Sequence, residues 1–350
     1  MVLALPGARG HWAAGTPGRI VADMEQQIRT VLVTGGSGFI AGHCILQLLE
    51  QGYQVRTTVR SLAKEQSVRA VLADAGMTPA QGQNLAFAAA DLLGDDGWAA
   101  AVDGIDAVLH VASPVQPGQV ENEDELIVPA REGTLRVLRA ARDAGIARVV
   151  LTSAFHAVSW GHPENDHVFT EADWTVLDGP GVDAYGKSKT LAERAAWDFV
   201  ATEGAGLQLA TLLPVAVMGP ALGRDISGAN HIVQTMLAGG MPAFPNVFIP
   251  IVDVRDVAAA HLLAMTVPDA AGRRLLLSNG PALSLAEIGA TVREALGAAA
   301  ALVPTTTLPG PGFAKLTSNE RARTVLGWAP RDAREAIVAA AESMVAKGLV

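Results

Sequence analysis

Two side chains four residues apart, Tyr185 and Lys189, can together hold and transfer a proton. The surrounding pattern predicts a helix from Tyr185 to about Thr202, and residues four apart share one face of a helix. An ammonium group beside a phenol favours the phenolate and lowers the pKa of the tyrosine. Tyr185 is therefore the candidate general acid, and Lys189 the candidate for adjusting its acidity and holding a cofactor ribose. The spacing alone also occurs in ordinary helices, but the chain has only two tyrosines and this one follows the fifth predicted strand.

A glycine-rich turn near the amino end, Thr34 to Gly42, follows an apolar strand and opens a predicted helix. Gly35 permits a tight turn, Gly38 lets the backbone approach a pyrophosphate, and the small residue Ala41 or Gly42 lets the helix pack on the sheet. The helix N-terminus then offers free N–H groups and the positive end of its dipole to the phosphates. The residues expected to bind a dinucleotide here are Gly35, Ser37, Gly38, Phe39 and Ile40.

The end of the second predicted strand carries Arg60, where a protein that binds NAD usually has an acidic residue for the ribose 2′-hydroxyl. A guanidinium group suits a 2′-phosphate instead. Lys64, one helical turn further on, adds a second positive charge. The sequence therefore favours NADPH/NADP over NAD.

Strands and helices alternate along the chain, with strands that are solid apolar blocks, as expected for a parallel sheet covered on both faces. This order predicts an α/β fold with a Rossmann-type, doubly wound parallel sheet and a smaller C-terminal substrate-binding lobe. We expect residues 1–23 to be a disordered extension and residues 24–220, with 251–280 returning, to form the NADP-binding domain. Residues 221–250 and 281–350 are expected to form the lobe.

Composition excludes several classes of function. The formal net charge of −9 repels nucleic acid and anionic membrane surfaces, and no apolar run is long enough to span a membrane. The single cysteine, Cys44, cannot form an internal disulfide, and the first residues lack the pattern of a secretion signal. We therefore expect a cytoplasmic protein, monomer or homodimer, whose partner is a small-molecule carbonyl substrate.

The motifs together resemble the extended short-chain dehydrogenase/reductases, in particular the group with dihydroflavonol, methylglyoxal, carbonyl and aldehyde reductases. The resemblance extends from about Arg29 to the C-terminus and implies reduction of an aldehyde or ketone by NADPH. Besides the glycine-rich turn, it rests on the blocks Val59 to Ser61, His110 to Pro114, Ala184 to Phe199, Pro214 to Pro220 and Val252 to Val257. Carried over by motif, it adds to the cofactor site Asp91, Leu92, Val111, Ala112, Ser113, Thr152, Tyr185, Lys189, Pro214, Val215 and Val217.

One position departs from this group. After the fifth strand its members typically have Thr-Ser-Ser, whose last serine binds the substrate carbonyl, whereas this chain has Thr152, Ser153 and Ala154. A lost donor of this kind costs on the order of 2.7–4 kcal/mol of transition-state stabilisation. Three explanations remain open: Ser153 takes over as a catalytic residue, His156 or a water supplies the donor, or the protein is slow or silent.

Two other functions stay open at this stage. One is an epimerase or dehydratase that acts on a nucleotide sugar with tightly held NAD, which Arg60 argues against. The other is a catalytically silent NADP-binding regulator, suggested by Ala154. No metal is expected, because the polar cluster His162, Glu164, Asp166 and His167 is read as a solvated loop. Aromatic and sulfur side chains could line a substrate pocket or pack in the core: Phe155, Trp160, Trp174, Met218, Phe244 and Phe248.

Overall fold

The computed structural model describes residues 28–114, 120–204 and 206–350. Seven parallel strands form its central sheet. In chain order they are β1 Thr30–Val33, β2 Gln54–Val59, β3 Leu85–Ala89, β4 Ala107–His110, β5 Arg148–Thr152, β6 Gln208–Pro214 and β7 Arg273–Leu277. Their order across the sheet is β7-β6-β5-β4-β1-β2-β3, so the first strand lies in the middle and later strands are added first on one side and then on the other.

The helices cover both faces of this sheet because successive strand residues point to opposite sides. The helices are α1 Phe39–Glu50, α2 Glu65–Asp74, α3 Pro79–Gly82, α4 Trp98–Val102, α5 Asp124–Asp143, α6 Ala184–Thr202, α7 Asn230–Leu237, α8 Val254–Thr266, α9 Leu285–Leu296, α10 Glu320–Leu326 and α11 Ala333–Ala346. On one face of the sheet Val31 and Val33 pack with α1, α2, α8 and α10, and on the other Leu32 packs with α4, α5 and α6.

A second apolar core lies away from the sheet and joins α7, α9 and α11 around Phe244 and Ile288. Three pairs of short strands connect the segments around it. Ala216–Met218 pairs in parallel with Ile251–Asp253, Phe248–Ile249 pairs antiparallel with Leu283–Ser284, and Val168–Phe169 pairs in parallel with Leu316–Thr317. The last pair ties the segment after β5 to the C-terminal part of the chain.

The predicted α/β fold class with a doubly wound parallel sheet is confirmed. The domain boundaries stay a prediction, and the expected extension at residues 1–23 lies outside the described residues. The short elements α3, α4, α7 and α10 were not predicted, since each is too brief or too exposed to show a clear apolar period. In the described part of the chain no helix is long and apolar enough to cross a bilayer.

Candidate active site

The turn between β1 and α1 forms a close-fitting backbone cradle. Gly35 has a φ of +74°, and a Cβ there would lie 2.9 Å from the Cβ of Ala112. A Cβ on Gly36 would lie 2.3 Å from Oγ1 of Thr57. Gly38 precedes α1 and gives it no side-chain cap, so the first N–H groups of the helix remain available for an anion. The cradle therefore fits a pyrophosphate approached by bare backbone.

Hydrogen bonds fix this turn to the strands beside it. Thr34 Oγ1 accepts the N–H of Ala112 at 2.9 Å and lies 2.9 Å from Nδ1 of His110. Burial lowers the pKa of His110 to about 3, with the Lys189 ammonium adding to the effect, so this imidazole is neutral. Gly35 N–H donates to Thr58 Oγ1 at 3.0 Å, which holds the end of β2 against the cradle.

The predicted cations lie just beyond β2. Arg60 follows the last strand residue, and Lys64 ends a 3-10 turn over Leu62–Lys64. Both side chains are exposed, and within the described residues neither makes an ion pair or a hydrogen bond. Two unpaired cations beside the cradle suit the 2′-phosphate of NADP.

The other predicted cofactor residues follow the carboxyl ends of neighbouring strands. Asp91 comes after β3, accepts the N–H of Leu93 at 3.0 Å and, through its carbonyl, the Trp98 indole N–H at 3.1 Å. Leu92 lies so close to α5 that a Cβ on Gly133 would be 2.9 Å from its own. Val111, Ala112 and Ser113 follow β4, Thr152 ends β5, and Pro214, Val215 and Val217 lie at or after the end of β6.

Tyr185 and Lys189 lie in the first turns of α6, which Asp183 caps by accepting the N–H of Gly186 at 2.8 Å. Lys189 Nζ is 5.8 Å from the centroid of the Tyr185 ring. Lys189 also lines a cavity with Ala112, Ser113, Thr152 and Ser153. The structure therefore brings the predicted proton donor and its lysine to the carboxyl edge where the cradle lies.

The acidities of this pair differ from the expectation. Burial, with a smaller contribution from Asp183, raises the pKa of Tyr185 to about 12. Burial lowers the pKa of Lys189 to about 8. Loss of water around the two groups moves each pKa towards its uncharged form, so the pKa of Tyr185 is raised where the neighbouring ammonium was expected to lower it. A protonated phenol is the form that can donate a proton.

Ser153 lines the same cavity as Lys189, but its hydroxyl already has a partner. Its hydroxyl donates to Glu193 Oε2 at 2.7 Å, and its side chain is buried. That the residue replaces the missing serine stays a prediction, and this hydrogen bond weighs against it. Thr152 is also engaged, since its Oγ1 lies 2.7 Å from Nε2 of His261, whose Nδ1 bonds the Val257 carbonyl.

Glu193 is the centre of a buried network that sequence reasoning missed. It accepts hydrogen bonds from Thr211 Oγ1 and Arg274 Nε, both at 2.8 Å, and from Trp197 Nε1 at 3.3 Å. Arg274 also donates to the carbonyls of Glu171 and Asp173. Glu193 belongs to the block Ala184 to Phe199, but no spacing rule connects it to an arginine 81 residues later.

The segment after β5 also holds a stacked group beside Tyr185. The His156 ring lies edge-on to the Tyr185 ring with centroids 4.9 Å apart, and it stacks on Trp160 at 3.8 Å. Lys315 Nζ lies 3.7 Å from the centroid of the Trp160 ring. The sequence had named His156 only as one alternative, and it gave no sign of Lys315.

The remaining residues singled out by sequence divide between loop and core. His162 Nε2 lies 3.0 Å from the Trp174 carbonyl, and His167 pairs with Asp173, while the described residues contain no cluster that could hold a metal ion. Of the aromatic and sulfur side chains proposed for a pocket, Phe155, Met218 and Phe244 are buried in the core, whereas Trp160, Trp174 and Phe248 are half-buried.

The sequence is similar to those of several known proteins. Residues 31–276 match the NAD dependent epimerase/dehydratase family. The chain is 36% identical to cinnamoyl-CoA reductase 1 of Arabidopsis thaliana over 255 residues, which cover 72% of this chain and 71% of the relative. It is 32% identical to the ketoreductase azaE of Aspergillus niger over 348 residues, covering 92% and 99%.

Solved structures with the same architecture include yeast methylglyoxal/isovaleraldehyde reductase Gre2 complexed with NADPH. That structure has a TM-score of 0.78 and 25% identity, and the match covers 92% of this chain and 100% of the other. Gre2 of Candida albicans in complex with NADPH has a TM-score of 0.76 and 27% identity, with coverages of 91% and 99%.

Proposed function

Because the chain belongs to the NAD dependent epimerase/dehydratase family, and within it to the extended short-chain dehydrogenase/reductases, we propose that it is an NADPH-dependent reductase. It converts an aldehyde or ketone to an alcohol. The observation that carries the proposal is the position of Tyr185 and Lys189 on α6, with Lys189 in a cavity shared with residues that follow β4. The lone cysteine, Cys44, is buried as a thiol, in keeping with a cytosolic location.

The residues present fit NADPH. A Cβ on Gly35 would crowd Ala112 and one on Gly38 would crowd the Gly35 carbonyl, and the uncapped N–H groups at the start of α1 would bind a pyrophosphate. Arg60 and Lys64 supply two exposed cations for the 2′-phosphate, and neither is paired with another side chain in the described part of the chain. Bound NADPH supplies a hydride to the carbonyl carbon of the substrate.

The chain's own residues handle the proton. As the carbonyl carbon gains hydride, the electron pair of the C=O double bond moves to oxygen, and Tyr185 transfers its phenolic proton to that oxygen. The tyrosine is protonated at neutral pH before the transfer, since its pKa, which burial raises to about 12, lies far above that pH. The Lys189 ammonium, 5.8 Å from the ring centroid, stabilises the phenolate that remains until the proton is replaced from solvent.

Replacement of the phenol tests this role. We expect Tyr185→Phe to lower kcat by about 100-fold to 10,000-fold, the usual contribution of a general acid, and to leave the Kd for NADPH unchanged. The assay is oxidation of NADPH against a panel of aldehydes and ketones, with NADPH binding measured by fluorescence. The matched control is Tyr53→Phe, which changes the only other tyrosine of the sequence. Tyr53 precedes β2, so it lies at the amino ends of the strands, whereas the candidate site lies at their carboxyl ends.

Full activity in Tyr185→Phe would contradict the proposed function, as would equal losses in both variants. The sugar epimerase alternative makes a separate prediction, namely that purified protein retains NAD. Mass spectrometry of the small molecules released on denaturation distinguishes the two. Oligomeric state stays a prediction of monomer or homodimer.

A further inference from the structure

The hydroxyl groups at the end of β5 are already engaged. Ala154, at the position of the missing serine, has no polar side chain, and the Ser153 hydroxyl donates to Glu193 at 2.7 Å. Thr152 bonds His261 at 2.7 Å. None of the three offers a free proton to a carbonyl oxygen beside Tyr185.

His156 is the polar side chain that does lie beside Tyr185. The two ring centroids are 4.9 Å apart with the planes at 79°. Among the described residues the His156 ring nitrogens make no hydrogen bond, although the backbone carbonyl of the same residue accepts one from Thr175. The imidazole therefore keeps an N–H free for a ligand, in a half-buried position two residues beyond Ala154.

A stack of side chains fixes the orientation of this imidazole. Trp160 lies parallel to it, with centroids 3.8 Å apart and the planes at 19°. Lys315 Nζ lies 3.7 Å from the Trp160 centroid. Lys315 is itself anchored by the Ser159 carbonyl at 2.8 Å. A ring held in this way needs little reorganisation to meet a substrate.

Burial above all keeps His156 neutral. Burial lowers its pKa to about 4, and the Lys315 and Lys189 ammonium groups act in the same direction, while Asp183 opposes them. A neutral imidazole carries one N–H donor and one acceptor nitrogen. It can therefore polarise a carbonyl without competing with Tyr185 for the role of proton donor.

We propose that His156 replaces the absent serine, donating a hydrogen bond from its neutral ring to the substrate carbonyl oxygen while Tyr185 transfers the proton. This inference rests on the proposed reductase function. His156 keeps its own proton throughout: hydride goes to the carbonyl carbon, the electron pair goes to oxygen, and the phenolic hydrogen of Tyr185 completes the alcohol.

The test combines loss of the imidazole donor with return of the serine. His156→Phe keeps an aromatic ring to stack on Trp160 but has no N–H. We expect kcat to fall about 100-fold, the cost of one oxyanion donor, with the Kd for NADPH unchanged. Ala154→Ser in the same background should recover at least about tenfold, whereas Ala154→Ser alone should change kcat less than about threefold. His167→Phe, an exposed histidine of the same segment, is the matched control.

Native kcat in His156→Phe would overturn the proposal, and so would failure of Ala154→Ser to rescue that variant. If His156→Phe does not fold, Ala154→Ser alone decides: a gain near 100-fold overturns the proposal, because it shows that the native site lacked a donor, and no gain supports it. Tyr185→Phe distinguishes failure of the role of His156 from failure of the reductase function. If that variant is inactive while His156→Phe is fully active, the role of His156 is wrong and the reductase function stands.

Discussion

Removal of the Arg274 guanidinium should lower the free energy of unfolding more than removal of an exposed charge nearby. The Glu193 side chain has no exposed area, and that of Arg274 is 9% exposed. Arg274→Met leaves the buried carboxylate without its cation and removes the donors to the carbonyls of Glu171 and Asp173. Loss of one partner of a buried ion pair costs about 3–5 kcal/mol of unfolding free energy.

That cost translates into a measurable melting shift. Unfolding entropy of about 2.1 cal/mol/K per residue gives a fall in Tm of about 4–7 °C for a chain of this length. Thermal unfolding followed by circular dichroism measures the shift. The matched control is Arg273→Met, because Arg273 is the preceding residue of β7 and its side chain is exposed. We expect that control to melt within about 1 °C of the native protein.

A second variant isolates the buried charge. Arg274→Met combined with Glu193→Gln should recover part of the lost Tm, because an uncharged amide costs less to bury than an unpaired carboxylate. A native melting temperature in Arg274→Met would refute the reasoning. The reasoning would also be refuted if the double variant lost more Tm than the two single variants lose together.

Two further predictions concern the cofactor and the lysine. Arg60→Ser should raise the Kd for NADPH about 10-fold to 100-fold, because a charge-assisted hydrogen bond is worth about 1.5–3 kcal/mol. The Kd for NADH should not change, since NADH has no 2′-phosphate. Equal losses with both cofactors would contradict the assignment of Arg60 to the 2′-phosphate. The kcat/KM for reduction should fall as pH rises through about 8, since the lowered pKa of Lys189 means that its ammonium is present below that pH and lost above it. A pH profile of the native protein measures this, and a profile that rises above pH 8 would contradict the role of Lys189.

Local patterns were sufficient to predict the fold class, six of the seven strands of the sheet and the glycine-rich turn, but not β7 at Arg273–Leu277. β5 and α6 were placed within a residue because apolar strands and a helix of strong period carry their own signals. Gly35 and Gly38 could be assigned for the same reason, since a strand, a tight turn and a helix follow one another directly in the sequence.

The remaining parts of the site depend on contacts between distant residues. The ion pair of Glu193 with Arg274, and the stack of Lys315 on Trp160, each join segments that no periodicity relates. The expectation that Lys189 lowers the pKa of Tyr185 was wrong for a related reason. The sequence showed the neighbouring ammonium but not how much water the fold removes from both groups. Desolvation is a property of the finished packing and leaves no mark on residue spacing.

The partners of Glu193 are made at different times during synthesis of the chain. When β6 has emerged, Glu193 and Thr211 have both been made, but Arg274 is still 63 residues away from Thr211 in the sequence. A nascent chain of that length lacks Arg274, the guanidinium that pairs with this buried carboxylate in the folded protein. We therefore expect truncated translation products that end before residue 274 to be less stable around Glu193 than the full chain.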